Sequence, residues 1–169
     1  MFWALRGGGG GTYGVVTSTT YKTYPTLSLT SALLTAKFTS PDIAQDVITE
    51  FIKFHPIFSD VGWTAYVDLT KSSFSANLIA LNTTWPDASS AFFSFVKYVE
   101  KATGGQAKLE ITPFASFYDF FLTTAANNER TTGTLVEMAS RLLPRSLVEN
   151  DPAKVAKILL SVGVQVHLA

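Results

Sequence analysis

The residues best suited to chemistry lie in a glycine-rich segment near the N-terminus, RGGGGGTYGVVTSTTYKTYP, which runs from Arg6 to Pro25. Glycine has no Cβ, so its backbone adopts positive φ and lets a phosphate or planar ligand approach main-chain N–H groups. Gly9, Gly11 and Gly14 satisfy the G-x-G-x-x-G spacing of dinucleotide-binding loops, although a run of five glycines meets many such patterns by accident. The flanking sequence must therefore decide what the segment does.

The residues downstream of the glycines exclude both common phosphate-binding loops. A Rossmann loop enters a helix whose N-terminus binds pyrophosphate, and an acidic residue about 20 residues further on binds the ribose. Here Val15 to Tyr24 is rich in β-branched and aromatic residues, which predicts a strand ending at Pro25, and no such acidic residue is found beyond it. The Gly-Lys-Ser/Thr of a P-loop is also absent. Two interpretations remain, a ligand-contacting glycine loop and an unstructured hinge.

The rest of the sequence predicts an α+β fold in which helices cover an antiparallel sheet. Helical spacing of apolar residues, with proline and acidic residues at the starts, predicts the helices. In the last helix it places Val155, Ile158, Leu159 and Val162 inward. The predicted helices span Pro41 to His55-Pro56, Pro86 to Gly104, Phe114 to Phe121 and Pro152 to Gly163, and the strands span Leu27 to Phe38, Trp63 to Thr70, Phe74 to Asn82, Ala107 to Thr112 and Val164 to Leu168.

Polar residues on the predicted hairpin are candidates for contact with a small-molecule substrate. Tyr66 and Asp68 share the polar face of its first strand, and Asn77 lies nearby on the second. The same pattern is also typical of a solvated or helix-covered sheet face, and the sequence favours that interpretation. No catalytic residue is predicted.

The histidines and arginines give no defined site. His55 and His167 have no acidic neighbour at ligand spacing, so no metal site is predicted. His55 precedes Pro56, where a helix end would favour its charged form. Arg141 and Arg145 could meet an acidic substrate or cap local carbonyls, and the sequence does not choose between these.

Composition excludes several classes of function. The chain has 169 residues, 47% hydrophobic and 15% charged, as expected of one folded domain. Thirteen basic residues balance thirteen acidic ones, and no apolar run approaches the roughly 20 residues of a membrane span, so neither nucleic acid nor a membrane is expected as a partner. The absence of cysteine excludes thiolate chemistry, and the absence of Gly-x-Ser-x-Gly argues against a hydrolase.

A family resemblance decides between the two interpretations of the glycine segment. FWALRGGGGGTYGVVTSTTYKTYP, from Phe2 to Pro25, closely resembles the end of the PCMH-type flavin-binding domain in the berberine-bridge-enzyme-like FAD-linked oxidases. SRLLPRSL, from Ser140 to Leu147, resembles part of the substrate-binding domain of the fungal members, and SFYDFF, from Ser116 to Phe121, fits the aromatic segment before it. The resemblance implies that residues 1–26 end an FAD-binding domain and that residues 27–169 form an incomplete substrate-binding domain.

The resemblance also implies a cofactor and an activity. FAD would be contacted, mainly through the main chain, by Gly9, Gly10, Gly11, Tyr13, Gly14 and Val15. The family oxidises small organic substrates of alcohol, sugar or alkaloid type by hydride transfer to flavin, with O2 as the acceptor. The alternative is a catalytically inactive fragment or binding domain that no longer holds flavin.

Several family features do not occur in this sequence. The main flavin-binding half, with its His and Cys flavin attachments, would precede Phe2, and the C-terminal Tyr-x-Asn segment is also absent. We therefore expect an internal fragment, inactive alone and prone to self-association through an unpaired strand. Family membership and the sequon at Asn82 suggest that the full-length parent is secreted.

Overall fold

A five-stranded antiparallel sheet, in the strand order β4-β1-β3-β2-β5, forms the centre of the chain. The computed structural model describes residues 6–8, 11–83, 85–124, 141–162 and 166–168. The strands are β1 (Leu29–Lys37), β2 (Trp63–Leu69), β3 (Ser73–Leu81), β4 (Ala107–Phe114) and β5 (Val166–Leu168). The predicted β2–β3 hairpin is confirmed, with Thr70 Oγ1 accepting from the backbone N–H of Ser73 at 3.0 Å in the turn.

Five helices accompany these strands in the described part of the chain: α1 (Pro41–Asp60), α2 (Trp85–Ala102), α3 (Phe117–Thr124), α4 (Arg145–Asn150) and α5 (Pro152–Ser161). Ser40 Oγ caps α1 by accepting from the N–H of Ile43. After α2, Gly104 and Gly105 adopt φ of 63° and 84°, and the N–H of Gly105 donates to the carbonyl of Glu100 at 2.8 Å. The predicted α+β fold is confirmed, and only the short α4 was not predicted.

The core lies between one face of the sheet and helices α1 and α2. Phe51 of α1 packs against Phe74 of β3 and Phe95 of α2, with ring centroids 5.2 and 5.7 Å apart. Phe92 of α2 stacks on Trp63 of β2 at 6.1 Å. Burial of each such side chain stabilises the fold by roughly 1.5–3 kcal/mol. The strands contribute to this face Ala32, Leu34, Ala36, Trp63, Ala65, Val67, Leu69, Phe74, Ala76, Leu78 and Ala80, all buried.

Helix α1 continues beyond the end predicted at His55-Pro56. Pro56 lies inside the helix, where it removes one backbone hydrogen bond. The next turn nevertheless buries Phe58, whose ring contacts Phe92 at 5.6 Å, and this packing favours continuation. His55 is therefore not at a helix end, and its ring packs edge-on against Phe51 at 5.8 Å.

The strand predicted over Val15 to Tyr24 is not formed. Residues 14–27 pair with none of the described strands, and Val15 and Tyr24 are 91% and 80% exposed. An extended segment becomes a strand only when a neighbour satisfies its backbone groups, and the described residues supply no such neighbour. Nothing in the structure tests the predicted boundary between residues 26 and 27.

The orientation of the last helix also differs from prediction. Val155 and Ala156 are buried, whereas Ile158 and Val162, predicted to face inward, are 54% and 53% exposed. The apolar stripe of α5 is wide, so the rotation of the helix about its axis is set by packing against α1 and not by the sequence pattern alone.

No described helix combines the length and apolarity that a membrane crossing requires.

The burial of His55 makes stability sensitive to pH. Burial lowers the pKa of His55 below the ordinary value of 6.5, so the unfolded chain binds a proton that the folded chain resists. The contribution of neutral His55 to the free energy of unfolding should therefore be fully present above pH 6.5 and should be lost as the pH falls below it. Urea midpoints measured between about pH 8 and pH 5 should fall for the natural chain and less for His55→Gln. An undiminished fall in His55→Gln would contradict this assignment.

Candidate functional site

The sheet has a second face, which α1 and α2 do not cover. We call it the open face. Helix α3 covers one end of it, where Phe120 is buried against Leu29 and Ile79 and also contacts Phe114. Alternation along the strands and the pairing register place on the open face Leu29, Ser31, Leu33 and Thr35 of β1, Thr64, Tyr66 and Asp68 of β2, Ser75, Asn77, Ile79 and Leu81 of β3, and Lys108, Glu110, Thr112 and Phe114 of β4.

The three residues predicted as substrate contacts all lie on this open face. Tyr66 and Asn77 are directly opposite each other on β2 and β3. Asp68 is opposite Ser75, which is the next pair on the same face of the sheet. Tyr66 is 66% exposed, while Asn77 and Asp68 are half-buried. Helices α1 and α2 pack on the opposite face, which carries the sequence neighbours of these residues, and the alternative of an ordinary solvated or helix-covered face stays open. Whether they contact a substrate stays a prediction.

The structure adds Ser31, which the sequence did not indicate. Its hydroxyl donates to Asn77 Oδ1 at 2.7 Å, and the residue is only 6% exposed. A buried hydroxyl requires a hydrogen-bond partner, so a serine in a buried strand is a signal of such a contact. The partner could not be named from the sequence because Ser31 and Asn77 are 46 residues apart. At the edge of the same face, Lys108 forms an ion pair with Glu110.

The glycine segment does not form a cradle within the described residues. Gly11 has φ of +75°, and a Cβ added at Gly11 or Gly14 would meet no atom within 4 Å. Tyr13 and Val15 are 57% and 91% exposed. Gly9 and Gly10, predicted as cofactor contacts, lie outside the described residues. The described residues alone therefore do not enclose a flavin, although Gly11 and Gly14 leave backbone accessible to one.

A pocket of about 320 Å³ lies at the end of the open face that is next to α3. Its walls are residues 25–27, Leu81 and residues 116–118. It lies where the glycine segment joins the sheet, and Tyr66, Asp68 and Asn77 do not line it. The described residues contain no cluster of three side chains suited to hold a metal ion.

Arg145 has a structural contact that neither sequence alternative anticipated. Its Nη1 and Nη2 each donate to a carboxylate oxygen of Asp60 at 2.7 Å, and its Nε donates to Glu149 at 2.6 Å. The hydrogen bonds from Arg145 lower the pKa of Asp60, and those to both carboxylates raise the pKa of Arg145. Arg145 thus links α4 to the end of α1.

Comparison with known proteins identifies relatives that align with nearly the whole chain. FAD-linked oxidoreductase patO of Aspergillus clavatus is 28% identical over 96% of this chain and 29% of its own length. OXR2 of Pyricularia oryzae, also an FAD-linked oxidoreductase, is 27% identical over 92% of the chain and 26% of its own length. CheF of Chaetomium globosum, with the same description, is 31% identical over 94% of the chain and 24% of its own length. The chain is related to the FAD-linked oxidoreductases.

The fold has a counterpart among solved structures. The VAO-type flavoprotein MtVAO615 of Myceliophthora thermophila C1 matches 96% of this chain with a TM-score of 0.68 at 22% identity, over 30% of its own length. No protein-family model matches the sequence. The predicted resemblance to FAD-linked oxidases is confirmed, and the chain spans less than a third of each of these relatives.

Proposed function

We propose that this chain supplies the substrate-binding part of an FAD-dependent oxidoreductase of the berberine-bridge-enzyme-like, PCMH-type family. The parent would oxidise a small alcohol, sugar or alkaloid by hydride transfer to flavin, with O2 as acceptor. The observation that carries the proposal is an α+β sheet with one polar open face in a chain aligned over 96% of its length with an FAD-linked oxidoreductase. Such a face suits the reactive side of a flavin because it combines exposed hydrogen-bonding groups with a rigid support.

The residues of this chain would bind and orient, while the cofactor would supply the hydride acceptor. The backbone of Gly11, Tyr13 and Gly14 would approach the flavin, together with Gly9, Gly10 and Val15. Tyr66, Asp68 and Asn77 would contact the substrate from the open face. Because a Cβ built at Gly11 or Gly14 would meet no atom within 4 Å, the described residues form no enclosed site there, and the remainder of the flavin site would have to come from other parts of the parent.

A second candidate function is an inactive binding domain that has lost flavin. The exposure of Tyr13 and Val15 and the absence of a described cradle favour it. The two candidate functions predict different products of the longest transcript that contains this chain. An oxidase would include a flavin-binding half and hold flavin, whereas an inactive binding domain would hold none.

The parent is proposed to be secreted, with a glycan at Asn82. This residue follows β3 and is exposed, with φ of 51°, a conformation that asparagine tolerates. Exposure makes the acceptor amide accessible to the glycosylation machinery.

The product of the longest transcript should copurify with FAD, whereas the 169-residue chain alone should bind FAD too weakly to saturate a fluorescence titration at micromolar concentrations. The reason is that the described residues do not enclose the cofactor. Bleaching of the bound flavin's visible absorbance by a sugar or alcohol would support the oxidase. A folded longest product that binds no flavin would contradict the oxidase and favour the inactive domain.

The chain alone should self-associate. Val15, Tyr21 and Tyr24 are 91%, 79% and 80% exposed on a segment without a strand partner among the described residues, which favours pairing between copies. Light scattering should give a mass above 18.3 kDa, and Val15→Lys with Val16→Lys should reduce it. Ile158→Lys, on the exposed side of α5, is the matched control. A monodisperse 18.3 kDa particle would contradict self-association.

A further inference from the structure

The hydrogen bond from Ser31 fixes how the side-chain amide of Asn77 is presented. Ser31 is only 6% exposed, and its hydroxyl occupies Asn77 Oδ1 at 2.7 Å. The oxygen and nitrogen of a planar amide lie on opposite sides, so Nδ2 points away from Ser31. Within the described part of the chain, Nδ2 donates to no other group. Two N–H donors are thereby left available on the half-buried floor of the open face.

The surroundings of these donors are aromatic on one side and apolar on the other. Tyr66 lies directly opposite Asn77 on β2 and is 66% exposed, so its ring is accessible. Leu33, half-buried, is opposite Asn77 on β1. A planar ligand can pack against a tyrosine ring in an offset or edge-on arrangement while a polar atom reaches the neighbouring amide.

We propose that Asn77 Nδ2 donates to an oxygen acceptor on a small aromatic ligand, with Tyr66 contacting the ligand ring and Ser31 acting as the positioning residue. Carbonyl oxygen fits because it accepts hydrogen bonds and donates none. This proposal rests on the proposed function only in using the same open face of the sheet. Binding of the aromatic ligand requires no flavin. Binding can therefore fail or succeed independently of oxidase activity.

Two probes of equal shape test the proposal on the full chain. Acetophenone carries a carbonyl oxygen, and α-methylstyrene replaces that oxygen with CH2. By NMR titration, acetophenone should bind between about threefold and tenfold more tightly than α-methylstyrene, since one net hydrogen bond separates them. The side-chain N–H resonances of Asn77 should shift with acetophenone only.

Substitutions separate contact from positioning. Asn77→Asp keeps the acceptor for Ser31 but removes both donors, so the advantage of acetophenone should disappear while α-methylstyrene binds as before. Ser31→Ala frees the amide to rotate and should reduce the advantage, and Ser31→Thr should restore it. Tyr66→Ala should weaken both probes alike. Urea unfolding of each variant confirms that it is folded.

Two results would overturn the proposal. One is an unchanged preference between the probes in folded Asn77→Asp. The other is acetophenone binding that leaves the Asn77 side-chain resonances unmoved. A variant that no longer folds would lose the binding of both probes, whereas the proposal predicts that Asn77→Asp still binds α-methylstyrene.

Discussion

The packing of aromatic side chains between the two long helices and the sheet is the constraint on which the rest of the structure depends. Phe51, Phe74 and Phe95 meet at centroid distances of 5.2 to 6.3 Å, and all three are buried. Because side chains alternate along a strand, committing one face of β1, β2 and β3 to this core commits their other residues to the opposite face. The open face is thus a consequence of the core.

The same constraint explains why polar groups can be held rigidly on the open face. β1 and β3 are central strands of the pairing order, and their covered residues are buried. Ser31 and Asn77 extend from this fixed backbone, so their 2.7 Å hydrogen bond does not depend on a mobile loop. A site built on central strands keeps its geometry better than one built on loops. Relatedness to the FAD-linked oxidoreductases rests on different evidence, the similarity in sequence to curated relatives.

Features with local signals could be predicted from the sequence. Alternation placed Tyr66 and Asp68 on one face, and Pro41 and Gly104 marked helix boundaries. Features that depend on distant contacts could not. The sequence does not reveal the register that brings Ser31 to Asn77, nor the burial of Phe58 that carries α1 past Pro56. Val15 to Tyr24 has a strong strand propensity, but propensity alone does not provide a partner strand.

Whether the open face is the functional surface can be tested most directly by mapping weak flavin contact. Riboflavin 5′-phosphate would be titrated into the isotope-labelled chain and followed through the backbone amide resonances. We predict shifts at Tyr66, Asn77 and Gly11, with α1 and α2 unaffected. Shifts confined to those helices, or no shift up to millimolar flavin, would contradict a functional open face.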